Sequence, residues 1–348
     1  MTAVDGMFNR GFCVVLPLTI LLFLAGIVVL PSYADQAEAQ RESAGAEAPA
    51  VTHNTWTSGA ALPTAVKFSM TGLIKNQIYV VGGVTETAIV ADNQVYNPVS
   101  NTWSAAASMP VATFDDASAV VKNILYVFGG SQDGTSATNA VWAYNPKTNS
   151  WSSKAAMPTA RDGVEAVVGK NIIYVIGGGN STGIVNTVEN YNPATNTWTE
   201  EDPLLVAKAG SAIGLIGTTI VDADGYLGPA GVTGDTEGYN ALTNSWTSLA
   251  TDPNARTLPC YGVAKGSLYV AGGSDSNGNP MNTNDSFKLT KNKMDDVGPH
   301  TSDSDRRGIS RLQERAVLLR RRQLFRAICG DGLQQCADLS AVALGIGL

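Results

Sequence analysis

Two histidines and four cysteines in 348 residues leave little material for metal or redox chemistry. His53 and His300 lie near opposite ends of the chain, so no histidine cluster is available for copper or zinc. Cys13 sits in an apolar leader, Cys260 stands alone in the body of the chain, and Cys329 and Cys336 lie near its end; there is no disulfide framework within the repeats, and a disulfide in the tail of an exported protein is conceivable. A Gly-x-Ser-x-Gly nucleophile turn, a Walker loop and a Cys-x-x-Cys pair are all missing, which removes the usual marks of acyl transfer, nucleotide hydrolysis and dithiol exchange. Charged residues make up only 15% and the net charge is -7, so a polyanion such as nucleic acid is disfavoured as partner. Neither a cofactor nor a metal is expected.

What the chain does have is glycine, 36 residues of it, and a tryptophan that recurs. Trp56, Trp103, Trp151, Trp198 and Trp246 follow one another at intervals of 47, 48, 47 and 48 residues, the mark of one supersecondary unit repeated. Other landmarks keep the same phase. Short apolar runs end in paired glycines at Gly82-Gly83, Gly129-Gly130, Gly177-Gly178 and Gly272-Gly273. In the fourth copy the pair is read as blurred into Gly228-Pro229-Ala230-Gly231. A Tyr-Asn-Pro turn follows at Tyr96, Tyr144 and Tyr191, degraded to Tyr239-Asn240-Ala241 and then to Phe287-Lys288-Leu289. The apolar runs, rich in Ile, Val and Tyr and bounded by turn residues, read as buried strands. Paired glycines supply positive φ and close approach, and one large aromatic per unit fills the wedge between stacked sheets.

Each unit therefore reads as four antiparallel strands, and such sheets close radially into a β-propeller. The order apolar strand, Gly-Gly, Tyr-Asn-Pro-x-Thr-Asn-x-Trp, Met-Pro resembles the Kelch repeat over roughly residues 51–300. The expected fold is all-β: a Kelch-type propeller of five four-stranded blades, or six if a blade is lost at the C-terminus, with an N-terminal strand around Trp56 closing the ring. The Kelch fold also hosts galactose-oxidase-like copper enzymes, an activity the two histidines argue against.

The flanks differ from the repeats. In residues 1–34 Arg10 precedes an apolar run from Phe12 to Leu30, followed by small residues, which reads as a signal peptide or a retained membrane anchor. Either would put the propeller outside the cytoplasm: secreted, periplasmic, extracellular or held at the membrane. Residues 35–50 read as an Ala-rich linker. Residues 1–305 contain 4 arginines, whereas residues 306–348 contain 8, and Met294 takes the sixth tryptophan position. Two readings of the 301–348 tail stand: a basic amphipathic helix over 309–328, or a non-native sequence following a frame error near residue 295.

Along each blade, from channel to rim, the strands are a, b, c and d, so the b–c loops and d–a turns emerge on one face. Loops on a rigid scaffold are the usual carriers of binding. That face holds the ligand-binding candidates Lys67, Asp115, Asp116, Arg161, Lys208 and Arg256. Arg161, in Met157-Pro158-Thr159-Ala160-Arg161-Asp162-Gly163, matches the Kelch position where a basic residue begins strand a. The resemblance implies a contact with acidic groups of a peptide or sugar; pairing with Asp162, Asp116 or a rim carbonyl is the plainer alternative. With Lys67, Lys208 and Arg256 at similar offsets, a ring of positive charge is expected at the channel mouth. Asp222-Ala223-Asp224-Gly225 lacks the further ligands of a calcium loop and reads as a degraded strand or turn.

The preferred function is a non-catalytic exported module that recognises a protein or glycan, with no catalytic residues assigned. One alternative, implied by resemblance to exported Kelch epimerases that open and close sialic acids, is a sugar epimerase or mutarotase, for which Asp115, Asp116 and Glu165 are the local proton-transfer candidates. Another is an adhesion or scaffold protein tethered to the envelope.

Overall fold

A computed structural model of the protein describes residues 59–297. The leader, the linker, Trp56 and the arginine-rich tail lie outside the described residues, as does any closing strand at Trp56. Among the described residues no helix is long and apolar enough to cross a membrane.

Five sheets follow one another, each a meander of four antiparallel strands. Blade 1 holds β1 (Met70–Ile74), β2 (Gln77–Val81), β3 (Asn93–Asn97) and β4 (Thr102–Ala106). Blade 2 holds β5 (Ala117–Val121), β6 (Ile124–Phe128), β7 (Val141–Asn145) and β8 (Ser150–Ser153). Blade 3 is β9 (Glu165–Gly169), β10 (Ile172–Ile176), β13 (Val188–Asn192) and β14 (Thr197–Glu201), with the small hairpin β11 (Gly179–Asn180) and β12 (Gly183–Ile184) in its b–c loop. Blade 4 is β15 (Ala212–Ile216), β16 (Thr219–Ala223), β17 (Thr236–Asn240) and β18 (Ser245–Leu249). Blade 5 is β19 (Cys260–Ala264), β20 (Ser267–Ala271), β21 (Asn284–Lys288) and β22 (Lys293–Asp296).

Local chemistry sets the hairpins. The a–b turns Lys75-Asn76, Lys122-Asn123, Lys170-Asn171 and Lys265-Gly266 have both residues at positive φ, as the tight two-residue turn between twisted strands demands. In the c–d turns the first Asn folds onto its own backbone; Asn97 Oδ1 accepts the Val99 N–H at 2.9 Å.

The strand at the channel differs from the rest in its partners. β1 packs on β5, β5 on β9, β9 on β15 and β15 on β19. Between successive blades lie apolar layers such as Tyr79, Val81, Leu125, Val127 and Tyr144, or Tyr126, Phe128, Val164, Ile173 and Tyr191. At roughly 25 cal/mol per Å² of apolar area, these layers supply the main stabilisation.

The repeated Tyr and Trp join the blades. Within blade 2, Tyr144 pairs across the sheet with Trp151, their ring centroids 5.1 Å apart. Asn149, left-handed at φ 46°, takes the Tyr144 hydroxyl at 2.8 Å and the Ala107 N–H at 2.8 Å. The Trp151 indole N–H then reaches the Ala107 carbonyl at 2.7 Å. One residue of the linker leaving blade 1 is thus held by both its peptide groups. Blade 1 grips Ala60 the same way, blade 3 grips Ala155 and blade 4 grips Asp202. In blade 5 Asn292 still takes the Ala250 N–H at 2.8 Å, but the Met294 side chain has no donor to stand in for the indole N–H. Each such hydrogen bond contributes on the order of 1 kcal/mol.

Two expectations change. Blade 5 takes its fourth strand from its own repeat, β22 with Met294 buried, so it does not need the strand at Trp56. The fourth glycine pair is Asp224-Gly225, at φ 65° and 129°, not Gly228–Gly231, which forms a 3-10 turn. Its N–H groups bond Asp235 O and Arg256 O just as those of Gly82 and Gly83 bond Asp92 O and Thr113 O. Asp tolerates the left-handed conformation better than most residues, which is why the position survives loss of glycine.

Candidate functional site

The b–c loops and d–a turns share one face, and they are laced together there. Lys67 bridges to Val84, Phe114 to Ser131, Asp162 to Gly179, Ala209 to Tyr226 and Thr257 to Ser274. One residue further on, five equivalent positions circle the channel mouth: Phe68, Asp115, Gly163, Gly210 and Leu258, all with φ between 55° and 62°. They are strung by backbone hydrogen bonds from blade to blade, Asp115 N–H to Phe68 O, Gly163 N–H to Asp115 O, Gly210 N–H to Gly163 O and Leu258 N–H to Gly210 O, at 2.8 to 3.2 Å. Phe68 and Leu258 hold this conformation without glycine's freedom, at a cost of about 1–2 kcal/mol each.

The basic residues expected to ring this mouth are enclosed instead. Arg161, Lys208 and Arg256 are 0%, 1% and 0% exposed. The Arg161 guanidinium meets Glu189 Oε2 at 2.6 Å and the carbonyls of Gly177 and Thr187 at 2.8 and 3.0 Å. Lys208 Nζ lies 3.3 Å from Asp222 and 3.5 Å from Glu237. Arg256 pairs with Asp285 and lies 3.6 Å from both Asp224 and Asp252. These three cations tie the d–a linker of their own blade to its strand c, inside the blade wall. Lys67 is buried too, one repeat position later than the other three, at the bridge to Val84. The anticipated ring of positive charge therefore does not face solvent.

The partners of these cations were not foreseen, although the sequence carries a signal. Counting 28 or 29 residues on from the basic position leads to the second residue of strand c. Where the first is Arg or Lys (Arg161, Lys208, Arg256) the second is acidic (Glu189, Glu237, Asp285); where the first is Val66 or Thr113 the second is Gln94 or Trp142. Gln94 does the same linking with neutral bonds, taking the Thr64 N–H at 2.7 Å and donating to its carbonyl at 3.1 Å.

Blades 4 and 5 carry a surplus of buried acid: among the described residues the cations beside Asp222, Glu237, Asp224, Asp252 and Asp285 are Lys208 and Arg256. Burial, then the neighbouring Asp252, pushes the Asp224 carboxyl up to about 9, so it holds its proton at neutral pH. Burial raises Asp222 to about 6.

Of the candidates, Asp115 and Asp116 remain at the mouth itself. Asp115 is buried in its left-handed turn. Asp116 packs on Gly130, where a Cβ would stand 2.2 Å from its Cγ, and accepts the Thr113 hydroxyl at 2.9 Å. Burial, with Asp115 and Asp162 nearby, raises its carboxyl well above the usual range. Glu165, at the start of β9, accepts the Tyr261 hydroxyl at 2.6 Å, joining blade 3 to blade 5 past the inner strand of blade 4. Among the described residues no group of His, Cys, Asp and Glu is arranged to hold a metal ion.

Comparison with known proteins gives a consistent picture. A family model described as the KLHDC2/KLHL20/DRC7 Kelch-repeats domain matches residues 50–212. Among solved structures, one titled "Structure of YjhT" superposes with a TM-score of 0.63 at 17% identity, covering 70% of this chain and 88% of that one. At that identity the likeness speaks for the fold alone. No curated protein matches this chain.

Proposed function

We propose, from the premise that this chain is a Kelch-repeat β-propeller, that it is a non-catalytic binding module that engages a glycan or protein through the face carrying its b–c loops and d–a turns. The observation carrying this reading is the build of those loops. Four of the five turn on a polar side chain: Thr85 Oγ1 accepts the Ala88 N–H at 3.0 Å, Asp133 the N–H groups of Thr135 and Ser136 at 2.7 and 2.8 Å, Asn180 the N–H of Thr182 at 2.8 Å, and Asp275 the N–H groups of Asn277 and Asn279 at 2.8 Å each. Loops 84–92, 131–139, 179–186, 226–235 and 274–283 contain no Lys or Arg. Apart from Ala88, Pro229 and Ala230, their exposed side chains carry hydroxyls, amides and carboxylates, which suit sugar hydroxyls or a polar peptide segment and repel polyanions. Pre-ordered loops also lower the entropy cost of binding. The apolar run 12–30 supports placing this module outside the cytoplasm, which N-terminal sequencing of the cell-derived protein tests.

The binding test is a combined Asp133→Ala, Asn180→Ala, Asp275→Ala protein screened beside the parent on glycan arrays and peptide libraries. Loss of the parent's ligands at unchanged Tm supports the reading; retention of every ligand refutes it.

Asp116 favours a second reading. A carboxyl at the mouth of a channel whose hold on its proton is raised by burial and by Asp115 and Asp162 is suited to proton exchange with a sugar ring oxygen. Exchange NMR on free sugars decides this: no acceleration of anomer interconversion by pure protein, or equal acceleration by Asp116→Asn, eliminates it.

A further inference from the structure

Positive charge is missing from the loop face and collected on the opposite one, where the a–b and c–d turns emerge. Residues 59–297 hold 13 Lys and Arg against 20 Asp and Glu. Four of the 13 are enclosed, namely Lys67, Arg161, Lys208 and Arg256. Of the other nine, only Lys154, which follows β8, lies away from the turn face. Near the channel, Lys75, Lys122, Lys170 and Lys265 each open an a–b turn and are each exposed. Toward the rim, Lys147 is exposed in the c–d turn of blade 2, and Lys288, Lys291 and Lys293 are exposed around that of blade 5. Among the described residues Lys293 alone of these eight forms an ion pair, with Asp295. That bond, and then the charges of Lys291 and Lys288, hold the Asp295 carboxyl below its usual range, so the three lysines act at one corner.

The turns themselves exclude acid. Neither the a–b turns (75–76, 122–123, 170–171, 217–218 and 265–266) nor the c–d turns (98–101, 146–149, 193–196, 241–244 and 289–292) contain an Asp or Glu, although acids outnumber bases in the described residues. The b–c loops hold Glu86, Asp92, Asp133, Asp235 and Asp275 and no Lys or Arg. The two faces of the propeller therefore carry opposite charge, which the net charge of -7 conceals. A solvated tip is the ordinary reading of any one such lysine, but it does not account for what stands beside them. Two residues after the Asn that ends strand c, where blade 2 has Lys147, blades 1 and 4 have Val99 and Leu242. These are 79% and 80% exposed, the most exposed large hydrophobic side chains among the described residues. The turns hold them out: Asn97 Oδ1 takes the Val99 N–H and Asn240 Oδ1 the Leu242 N–H, both at 2.9 Å, just as Asn145 Oδ1 takes that of Lys147 at 3.0 Å.

We propose that this turn face docks on a lipid bilayer that carries anionic headgroups, its lysines lying against the phosphates and Val99 and Leu242 dipping beneath them. Each lysine can lay its methylene stem along the headgroup layer and keep its ammonium at the phosphate level. Anionic leaflets attract basic clusters of this kind, and the attraction reaches only about one Debye length, so it acts on the face turned toward the membrane. An acidic polysaccharide would answer the lysines but would leave Val99 and Leu242 without an apolar partner; the boundary between headgroups and acyl chains supplies both. Docked in this way, the propeller holds its b–c loops, the face read above as ligand-binding, away from the bilayer. The two faces then work independently, and loss of one leaves the other.

Cosedimentation of the full chain with vesicles tests this. The probes are vesicles of phosphatidylcholine alone and vesicles with about 30% phosphatidylglycerol. An apolar segment such as residues 12–30 does not distinguish the two, so the quantity read is the ratio of the affinities. The parent should prefer the anionic vesicles by at least about 100-fold and lose that preference as salt rises from about 0.05 to 0.5 M. Lys75→Gln, Lys122→Gln, Lys170→Gln and Lys265→Gln together should weaken anionic binding by about 100-fold or more at unchanged Tm. Val99→Ser with Leu242→Ser should weaken it by about tenfold and leave the salt dependence as it was. Arg320→Gln, Arg321→Gln and Arg322→Gln, made together in the basic tail, should keep the preference. Equal affinity for the two vesicles overturns the proposal, as does unchanged binding by the four-lysine protein or by the Val99, Leu242 pair. A preference that disappears with the three arginines also overturns it, because the tail would then be its source. Lysine-dependent capture of alginate, an acidic polysaccharide, without vesicle binding overturns it as well.

Discussion

Removing the Arg161 charge should destabilise the protein severely, and removing its partner as well should restore a large part of the loss. The guanidinium is fully buried and bonds Glu189 and two carbonyls within 3.0 Å. Arg161→Met strips these acceptors and leaves the Glu189 carboxylate enclosed with only the Thr159 hydroxyl, at 2.7 Å, to hold it. Breaking one side of a buried pair costs about 3–5 kcal/mol, most of it from the uncompensated charge left behind. For a domain of this size that lowers Tm by about 2–4 °C per kcal/mol. Adding Glu189→Gln removes the orphaned charge and brings the site toward that of blade 1, where Val66 stands at the basic position and Gln94 makes a neutral link to Thr64. Recovery of about 1–3 kcal/mol is expected, seen as non-additivity in urea titrations of the two single variants and the double. Strictly additive losses would refute the view that Arg161 works through Glu189. A stable Arg161→Met that has lost only ligand binding would return Arg161 to the binding face.

Asp224→Asn should stabilise the protein at neutral and alkaline pH. Its carboxyl is raised in the folded state, so the native protein holds a proton that the unfolded chain has released; the contribution is fully present below about pH 4 and is lost as pH rises toward 9, by at most about 1.4 kcal/mol per unit. Melting curves of parent and variant should coincide near pH 4 and separate progressively to pH 9, and parallel curves would contradict the assignment. Trp151→Phe keeps the ring stacked on Tyr144 but loses the bond to Ala107 O, so a loss of about 1 kcal/mol is expected in denaturant titration. Phe at the Met294 position should change little, because that blade already lacks the bond.

Most of the architecture is legible in the chain because it is local and repeated. The tryptophan period, the glycine pairs and the Asn-rich turns each act within a few residues, and their common phase forces one four-stranded meander per repeat. The fourth glycine pair escaped that reading because Asp224 reaches the left-handed conformation without being glycine. Met294 was legible as a missing tryptophan, but not as a strand, since backbone pairing with Phe287 needs no indole.

The candidate site was less legible for a different reason. A basic residue at the start of strand a looks the same whether it faces solvent or the blade interior. What decides is a carboxylate 28 or 29 residues downstream, brought alongside by the b–c hairpin, and the desolvation that makes the two inseparable. Sequence by itself determined the blade, its strand order and the face its loops share. Only the tertiary structure decided that Arg161, Lys208 and Arg256 are spent inside the walls, and that burial raises the Asp116 carboxyl at the mouth, because burial and charge pairing are properties of neighbours distant in the chain.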